Sequence, residues 1–260
     1  MIRFSCQSLS RNLQTLRAAI SIAEAGNILC VQNDDSDILQ YLEDYFHFTW
    51  EVGSAEIAPL VIDHQAPCTS LGDVSRPLLF PHEMVASCAE AWADARGIRI
   101  GFTGLMTRER RSTFRQWIRH ANKATKAKWT HESRIMSRMW RFNLGNAGVE
   151  INATKAGRTW PSKAWDENYY RRMGSTQFAL CPSGDFSWTY RVFEAALCGA
   201  IPIVETQLPL YQSLMTVPWN ADITQLSWDP AVAEHNRRVA TQMVTVDHET
   251  LSVALAATLT

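Results

Sequence analysis

Short apolar runs alternate with segments of helical periodicity along almost the whole chain. Six runs have the length and composition of buried strands, namely 27–33, 58–64, 76–82, 98–104, 177–184 and 200–205. Apolar positions recur with helical spacing over 12–25, 36–48, 83–96, 109–125, 165–175, 187–198, 230–243 and 247–259. Such alternation indicates βαβ units, so the sequence predicts an α/β fold whose parallel sheets are covered by helices on both faces.

A change in composition near residue 95 divides the chain. The preceding segment is acidic, whereas a strand and a basic segment follow it. We therefore predict a small N-terminal α/β domain over 1–95, a larger Rossmann-like domain over 96–245 and a C-terminal helix over 246–260. The stretch 142–164 is rich in Gly, Asn and small residues, which predicts an irregular connection, with or without one strand in it.

Positive charge is concentrated in the segment 96–141. It carries thirteen Lys and Arg residues against Glu109 and Glu132, although the net charge of the chain is −1. Clustered cations attract a phosphorylated ligand, an anionic membrane surface or nucleic acid, and a solvated basic helix is the simpler alternative. The sequence pI of about 6.7 and the lack of a nucleic-acid-reading motif argue against nucleic acid.

The composition is that of an ordinary globular protein, with 46% hydrophobic and 20% charged residues among 260. The six cysteines are too widely spaced for a zinc knuckle or a redox pair, which predicts free thiols in a reducing compartment. No apolar run approaches the roughly 18 residues of a membrane span, and the first residues do not have the pattern of a signal peptide. We therefore predict a cytoplasmic protein, with peripheral membrane contact through 96–141 as an option.

The segment 178–204 contains the most informative pattern. An apolar strand is followed by Pro-Ser-Gly-Asp, and then by a helix that Asp185 or Ser187 is able to cap and that Gly199 ends. In open α/β sheets, ligands bind where such loops leave the carboxyl ends of the strands. Arg191 and Glu194 share a helix face, so that one is able to hold a diphosphate and the other a ribose hydroxyl. The alternative is a plain βαβ unit with a surface ion pair.

This segment resembles the nucleotide-sugar-binding signature of the exostosin-type glycosyltransferases. The resemblance is carried by Tyr170, by residues 175–184 and 189–195, and by Gly199 with the Ile-Pro-Ile-Val of 201–204. A second similar element is the strand 99–104, which is followed by arginines at 108, 110 and 111. The family implies a GT-B fold, in which two Rossmann-like domains face a cleft, and a donor that is most often a UDP-sugar. By resemblance, the donor-binding residues are Gly104, Arg108, Arg111, Ser183, Gly184, Thr189, Arg191 and Glu194.

The chain departs from the retaining members of the GT-B class. Their second glutamate would fall at position 202, which is Pro202. We therefore expect inversion, with a general base from the N-terminal domain. The pairs Asp63-His64 and His82-Glu83 follow apolar runs there, and we favour Asp63 or His82, although each is equally able to cap a turn or start a helix.

No Asp-x-Asp motif follows a strand, and Asp34-Asp35 is more typical of a solvated loop than of a metal site. The sequence therefore predicts a metal-independent enzyme with no cofactor. Its partners would be a nucleotide-sugar and a glycan or lipid-linked saccharide acceptor, without nucleic acid. Alternatives are a fucosyltransferase-like enzyme that uses a GDP-sugar, a non-catalytic nucleotide- or glycan-binding module and, less favoured, nucleic-acid binding through 96–141. Trp188 is the candidate for stacking on a sugar.

Overall fold

The structure is a computed structural model. It describes residues 2–5, 9, 12–26, 29–32, 43, 50–52, 60–93, 95–125, 130–133, 137–144, 147–158 and 163–257. The predicted helix at 36–48, apart from Glu43, and the pair Asp34-Asp35 lie outside these residues. Unit 1 comprises Met1–Val85, Arg158–Trp165 and Gln242–Thr260, whereas unit 2 comprises Ala86–Gly157 and Asp166–Thr241. The domain boundaries predicted at 95 and 245 stay predictions.

The described residues of unit 1 form two three-stranded sheets and two helices that lie wholly within the unit. The strands β1 (Ile2–Ser5), β2 (Leu29–Gln32) and β3 (Trp50–Val52) pair in parallel. The strands β4 (Leu60–Asp63), β5 (Cys68–Leu71) and β6 (Val74–Arg76) form an antiparallel meander. Helix α1 (Leu13–Glu24) and the C-terminal helix α7 (His248–Ala257) share a core that includes Leu16, Ile20, Leu71, Leu79 and Leu251.

Two apolar runs of unit 1 differ from their prediction as buried parallel strands. The run 58–64 contains β4, but this strand pairs antiparallel with β5 across a short turn. The run 76–82 is not a strand beyond Arg76, although Leu78, Leu79 and Phe80 are buried. Residues of β4 alternate between half-buried and exposed, and Val61 is 55% exposed, so a short apolar run by itself establishes neither burial nor parallel pairing.

Unit 2 is built on one seven-stranded sheet. Its order is β13, β12, β11, β7, β10, β9, β8, and the first five strands are parallel. The bounds are β7 (Ile98–Leu105), β8 (Thr130–Ser133), β9 (Ser137–Leu144), β10 (Ala147–Thr154), β11 (Thr176–Cys181), β12 (Ile201–Val204) and β13 (Val217–Pro218). The prediction that 98–104 and 177–184 form parallel strands of one sheet is confirmed.

Helices flank this sheet. They are α2 (His82–Glu90), of which only the last five residues belong to unit 2, α3 (Arg108–Thr125), α4 (Glu167–Gly174), α5 (Arg191–Leu197) and α6 (Pro230–Val244). The buried face of α3 carries Phe114, Trp117 and Ala121 at helical spacing, and these side chains join the apolar side chains of β7, β10 and β11 in one core. Unit 2 is therefore a mixed α/β structure with a five-strand parallel sheet.

Three predictions in unit 2 need correction. The stretch 142–164 contains the end of β9 and all of β10, so it has two strand segments where the prediction allowed at most one. The strands β8 and β9 have no counterpart among the predicted runs. Helix α5 begins at Arg191 and not at 187, and Tyr190 precedes it without a side-chain cap from Asp185 or Ser187. None of the helices in the described part of the chain is long and apolar enough to cross a membrane.

Arg96 joins the start of β11 to the end of α5. It is 7% exposed, and its guanidinium donates to the carbonyl oxygens of Thr176 (2.8 Å) and Cys198 (3.1 Å). The same group lies between the rings of Trp92 and Trp228, at 5.1 and 4.9 Å from their centroids. Burial lowers the pKa of Arg96 to about 10, which still leaves the side chain charged at neutral pH.

We predict that Arg96→Ala lowers the free energy of unfolding by about 2–4 kcal/mol, because two buried carbonyl groups lose a charged donor and the two indole rings lose their contact. Urea unfolding followed by tryptophan fluorescence measures this loss. Arg171→Ala is the matched control, since Arg171 is exposed and contacts only its own helix in the described part of the chain, through a hydrogen bond to Asn168 and an i,i+4 pair with Glu167. Such pairs contribute about 0.3–0.5 kcal/mol. Equal losses in the two variants would contradict the role given to Arg96.

Candidate functional site

The crossovers of unit 2 diverge between β7 and β11. These strands are parallel neighbours, but the chain after β7 passes through α3 toward β10 on one side, whereas the chain after β11 passes through α5 to β12 on the other. A divergence of this kind leaves a crevice at the carboxyl ends of the two strands, where open α/β sheets bind ligands. The first-turn residues of α3 and α5 border it.

Arg191, the first residue of α5, is half-buried at this edge. Its guanidinium lies over the ring of Phe102, 4.2 Å from the centroid, and its Nε donates to the hydroxyl of Tyr169 at 3.2 Å. A Cβ atom added to Gly104 would collide with the same guanidinium. The buried Nη1 has no hydrogen-bond partner among the described residues. The ring of Phe102 and the hydroxyl of Tyr169 therefore hold the Arg191 guanidinium in place, and Gly104 leaves room for it.

Arg110 comes from the first turn of α3 and reaches the loop that follows β11. Its Nε donates to the carbonyl oxygen of Ser183 and its Nη1 to that of Leu105, both at 3.0 Å. A Cβ atom at Gly184 would approach its Nη2 to 2.7 Å. Burial and the neighbouring charge of Arg191 lower the pKa of Arg110 to about 10, although Asp185 and Glu205 act in the opposite direction. The side chain thus bridges the carboxyl ends of β7 and β11.

Two like charges therefore lie close together and partly out of water. Neither Arg110 nor Arg191 forms an ion pair within the part of the chain that the structure describes. Burial is the larger cause of the lowered pKa of Arg110, and the charge of Arg191 adds to it. Such an arrangement costs stability unless an anion offsets it, and perturbed groups of this kind cluster at functional sites. The edge is suited to a phosphate or diphosphate.

The loop after β11 uses most of its donors internally. Ser183 donates its backbone N–H to the Glu205 carboxylate at 2.6 Å and its hydroxyl to the carbonyl oxygen of Ser187 at 3.3 Å. Gly184 donates its N–H to the carbonyl oxygen of Phe186. The resemblance assigns Ser183 and Gly184 to donor binding, but in the structure their hydrogen bonds stabilise the loop itself. The two guanidinium groups are the stronger anion donors here.

The residues after this loop also take structural positions. Thr189 is buried and donates its N–H to the hydroxyl of Tyr211 at 2.9 Å, while its own hydroxyl accepts from the N–H of Arg191. Burial raises the pKa of Tyr211 above its ordinary value, so its hydroxyl stays protonated. Trp188, the candidate for sugar stacking, is only 4% exposed, whereas Phe186 is 39% exposed with its ring stacked near Trp188. Phe186 is therefore the accessible aromatic residue of the loop.

Glu194 lies on α5 one turn after Arg191, but its carboxylate is 3% exposed. It accepts hydrogen bonds from the hydroxyls of Tyr169 (3.3 Å) and Tyr170 (3.2 Å). The Tyr169 hydroxyl in turn accepts from Arg191, so that it connects the carboxylate to the guanidinium. Arg191 and Glu194 are therefore linked through a tyrosine and do not form a surface pair. The ribose-binding role of Glu194 stays a prediction.

The arginines predicted from resemblance, Arg108 and Arg111, are both exposed on α3. Arg110 is the one whose guanidinium reaches the carboxyl edge, whereas the assignment by resemblance took Arg108 and Arg111, which share a different face of the helix. A signal was present in the sequence. Arg110 precedes Phe114 and Trp117 by four and seven residues, which places it on the buried face of the helix.

The two predicted bases, Asp63 and His82, are in unit 1 and already make local hydrogen bonds. The Asp63 carboxylate accepts from the N–H groups of Gln65 (2.8 Å) and Ala66 (3.2 Å) in the turn after β4. The His82 backbone N–H donates to Glu24, its Nε2 lies 2.9 Å from the Val246 carbonyl oxygen, and its ring contacts His248. Both residues take the turn and helix-start positions that were the alternative, and their catalytic roles stay predictions.

A small cavity lies beside Arg191 in unit 2. It has a volume of about 20 Å³, and Phe102, Thr103, Tyr169 and Arg172 are among its lining residues. This volume has room for about one water molecule. A nucleotide would therefore have to lie outside it, at the carboxyl edge. The described residues contain no group of three or more His, Cys, Asp or Glu side chains that is able to hold a metal ion.

Comparison with known proteins gives no relative: no family model matches the chain, and neither a curated protein nor a solved structure is significantly similar to it. The geometry of unit 2 and the motif at 170–204 are therefore the features that indicate a function.

We predict that Gly104→Ala lowers the free energy of unfolding by about 1–3 kcal/mol, because the new methyl group would displace the Arg191 guanidinium. The cost should be smaller in an Arg191→Ala background, where only the strain of the positive φ of 157° remains. Urea unfolding of the two single variants and the double variant measures the coupling. Gly97→Ala is the control, since a Cβ there meets nothing within 4 Å. Equal costs in both backgrounds would show that the two residues are independent.

Proposed function

We propose that the chain is a glycosyltransferase that moves a sugar from a nucleotide-sugar, a UDP-sugar in view of the motif, to a glycan or lipid-linked saccharide. One observation carries the proposal. Two guanidinium groups, those of Arg110 and Arg191, lie at the carboxyl edge between β7 and β11 and form no ion pair with any residue that the structure describes. A diphosphate bound there would neutralise both charges. The exostosin-like pattern over 170–204 supports the same site, because Arg191 belongs to both.

The reaction we propose is a single displacement with inversion. The acceptor oxygen forms a bond to the anomeric carbon while the bond from this carbon to the diphosphate oxygen breaks, and its electron pair leaves with the diphosphate. The acceptor proton passes to a general base. Arg110 and Arg191 would stabilise the charge that develops on the leaving group, which is the task that metal ions perform in other enzymes. Pro202 at the place of a second glutamate supports inversion.

The arrangement of the whole enzyme is part of this proposal. A GT-B architecture would set unit 2 as the donor-binding half and the N-terminal part as the acceptor half, with Asp63 or His82 as the base. A cytoplasmic location with peripheral membrane contact would suit a lipid-linked acceptor. The mixed α/β fold of unit 2 is compatible with the donor-binding half of such an enzyme.

A second function is favoured by one observation. The carboxylate of Asp63 and the Nε2 atom of His82 are already engaged in local hydrogen bonds. If neither is a base, the chain would be a non-catalytic nucleotide-binding module with the same diphosphate site. Measurements of binding and of transfer separate the two functions.

We predict that Arg110→Ala and Arg191→Ala each weaken UDP binding by about 10- to 100-fold, because a charge-assisted hydrogen bond to phosphate contributes about 1.5–3 kcal/mol. Uridine binding should change little, since uridine has no phosphate. Isothermal titration calorimetry with UDP, GDP, CMP and dTDP identifies the nucleotide, and circular dichroism checks that each variant is folded.

Arg115→Ala is the matched control, because Arg115 is exposed on the opposite face of α3. Arg108→Ala and Arg111→Ala test the residues chosen by resemblance. A larger loss in these two than in Arg110→Ala would transfer the phosphate contact to them. Unchanged UDP affinity in Arg110→Ala and Arg191→Ala would contradict the proposed site.

We predict that neutralising the true base lowers turnover by about 10²- to 10⁴-fold while donor affinity stays nearly constant, because proton removal acts on the transition state. Asp63→Asn and His82→Ala are the variants, and Asn preserves an oxygen that accepts from the turn. Transfer from a labelled UDP-sugar is measured, and NMR gives the anomeric configuration of the product. Retained configuration would refute inversion, and full activity in both variants would exclude both bases. UDP binding without transfer from any donor would indicate the second function, a non-catalytic nucleotide-binding module.

A further inference from the structure

Helix α3 carries a continuous row of positive charge on its outer face. Its members follow one another at spacings of three or four residues, which keeps them within an arc of about 120° along about 22 Å of helix. They are Arg108, Arg111, Arg115, Arg119 and Lys123, and all five are exposed. We call this row the cationic face. Glu109 is the only acidic residue of the helix.

The cationic face is not neutralised by neighbours in the described part of the chain. The ion pairs described for unit 2 involve Arg171, Arg172 and Arg237, and none involves a member of the cationic face. The opposite side of the helix packs into the core through Phe114, Trp117 and Ala121. One flank of the helix is therefore anchored, and the other presents five cations to the solvent.

Two properties of α3 restrict what binds this face. A single-stranded nucleic acid binds through bases that stack on exposed aromatic rings, but Phe114 and Trp117, the aromatic residues of α3, are 3% and 1% exposed. A helix that inserts into a bilayer needs an exposed apolar stripe, and the apolar stripe of α3 is in the core. What remains is an anionic surface that several long, flexible cationic side chains are able to approach from one side.

We propose that the cationic face of α3 binds anionic phospholipid head groups at the surface of a membrane. The contact is electrostatic and reversible, because no apolar side chain of the helix is available to insert. Each Lys or Arg close to an anionic bilayer strengthens binding by about fivefold. The row begins at Arg108, next to the turn that carries Arg110, so a membrane on this face would lie beside the carboxyl edge of the sheet. The proposal does not depend on which nucleotide that edge binds.

The test is sedimentation of the full chain with vesicles of phosphatidylcholine alone and of phosphatidylcholine mixed with phosphatidylglycerol. We expect binding to the mixed vesicles only, and a decrease as salt shortens the Debye length below about 10 Å. The triple variant Arg115→Gln, Arg119→Gln, Lys123→Gln should lose about 100-fold in partitioning. None of these three residues belongs to the donor site, so calorimetry with UDP should give the wild-type affinity.

The control variant Arg171→Gln, Arg237→Gln, Arg238→Gln removes the same charge from other helices of unit 2. It should partition like the wild type. Equal losses in the two triple variants would show a general effect of net charge and would overturn the proposal, as would equal binding of the wild type to both kinds of vesicle or to neither. Tighter binding to short DNA duplexes than to anionic vesicles, lost in the same triple variant, would assign the face to nucleic acid instead.

Discussion

The divergence of two crossovers between the parallel strands β7 and β11 is the constraint on which the site of unit 2 depends. Helices α3 and α5 follow these neighbouring strands and lead to opposite sides, an arrangement that in open α/β sheets leaves a crevice at the carboxyl ends of the strands. Side chains from the first turn of each helix fill the space. In this chain they are Arg110 and Arg191, and the close approach of their guanidinium groups to Gly184 and Gly104 requires residues without a Cβ atom.

A series of hydrogen bonds links the buried side of Arg191 to Glu194. Its charge is separated from the Glu194 carboxylate by the Tyr169 hydroxyl, which accepts from Arg191 and donates to Glu194. Tyr170 donates to the second oxygen of the same carboxylate. Such relays strengthen one another in a low-dielectric interior, so the hydroxyl and the carboxylate orient the guanidinium without a direct ion pair. Arg191 thus keeps an N–H group that is not committed to an ion pair, which is the property that an anion site requires.

The sequence predicted the strands and helices of unit 2 better than it predicted which side chains lie at the candidate site. Continuous apolar strands such as β7, β11 and β12 can be recognised because both faces of a parallel sheet are buried. Strand β8 is polar, and β9 intersperses apolar residues with arginines, so neither contains a continuous apolar run. Antiparallel β4 cannot be distinguished from a parallel strand by periodicity. The internal hydrogen bonds of Ser183 and Gly184 depend on Glu205 and Phe186, whose positions are set by tertiary folding.

The arginines of helix α3 occupy two different environments, although they belong to one basic segment. An exposed arginine such as Arg115 keeps its hydration, so its presence costs little and its effect is a long-range field that salt weakens. Arg110 instead gives up water on the buried face and lies near a second guanidinium, for which the fold provides two backbone carbonyls and no ion pair among the described residues. Position relative to the core, and not the density of positive charge, therefore separates the solvated arginines of this segment from the one that the fold holds at the carboxyl edge of the sheet.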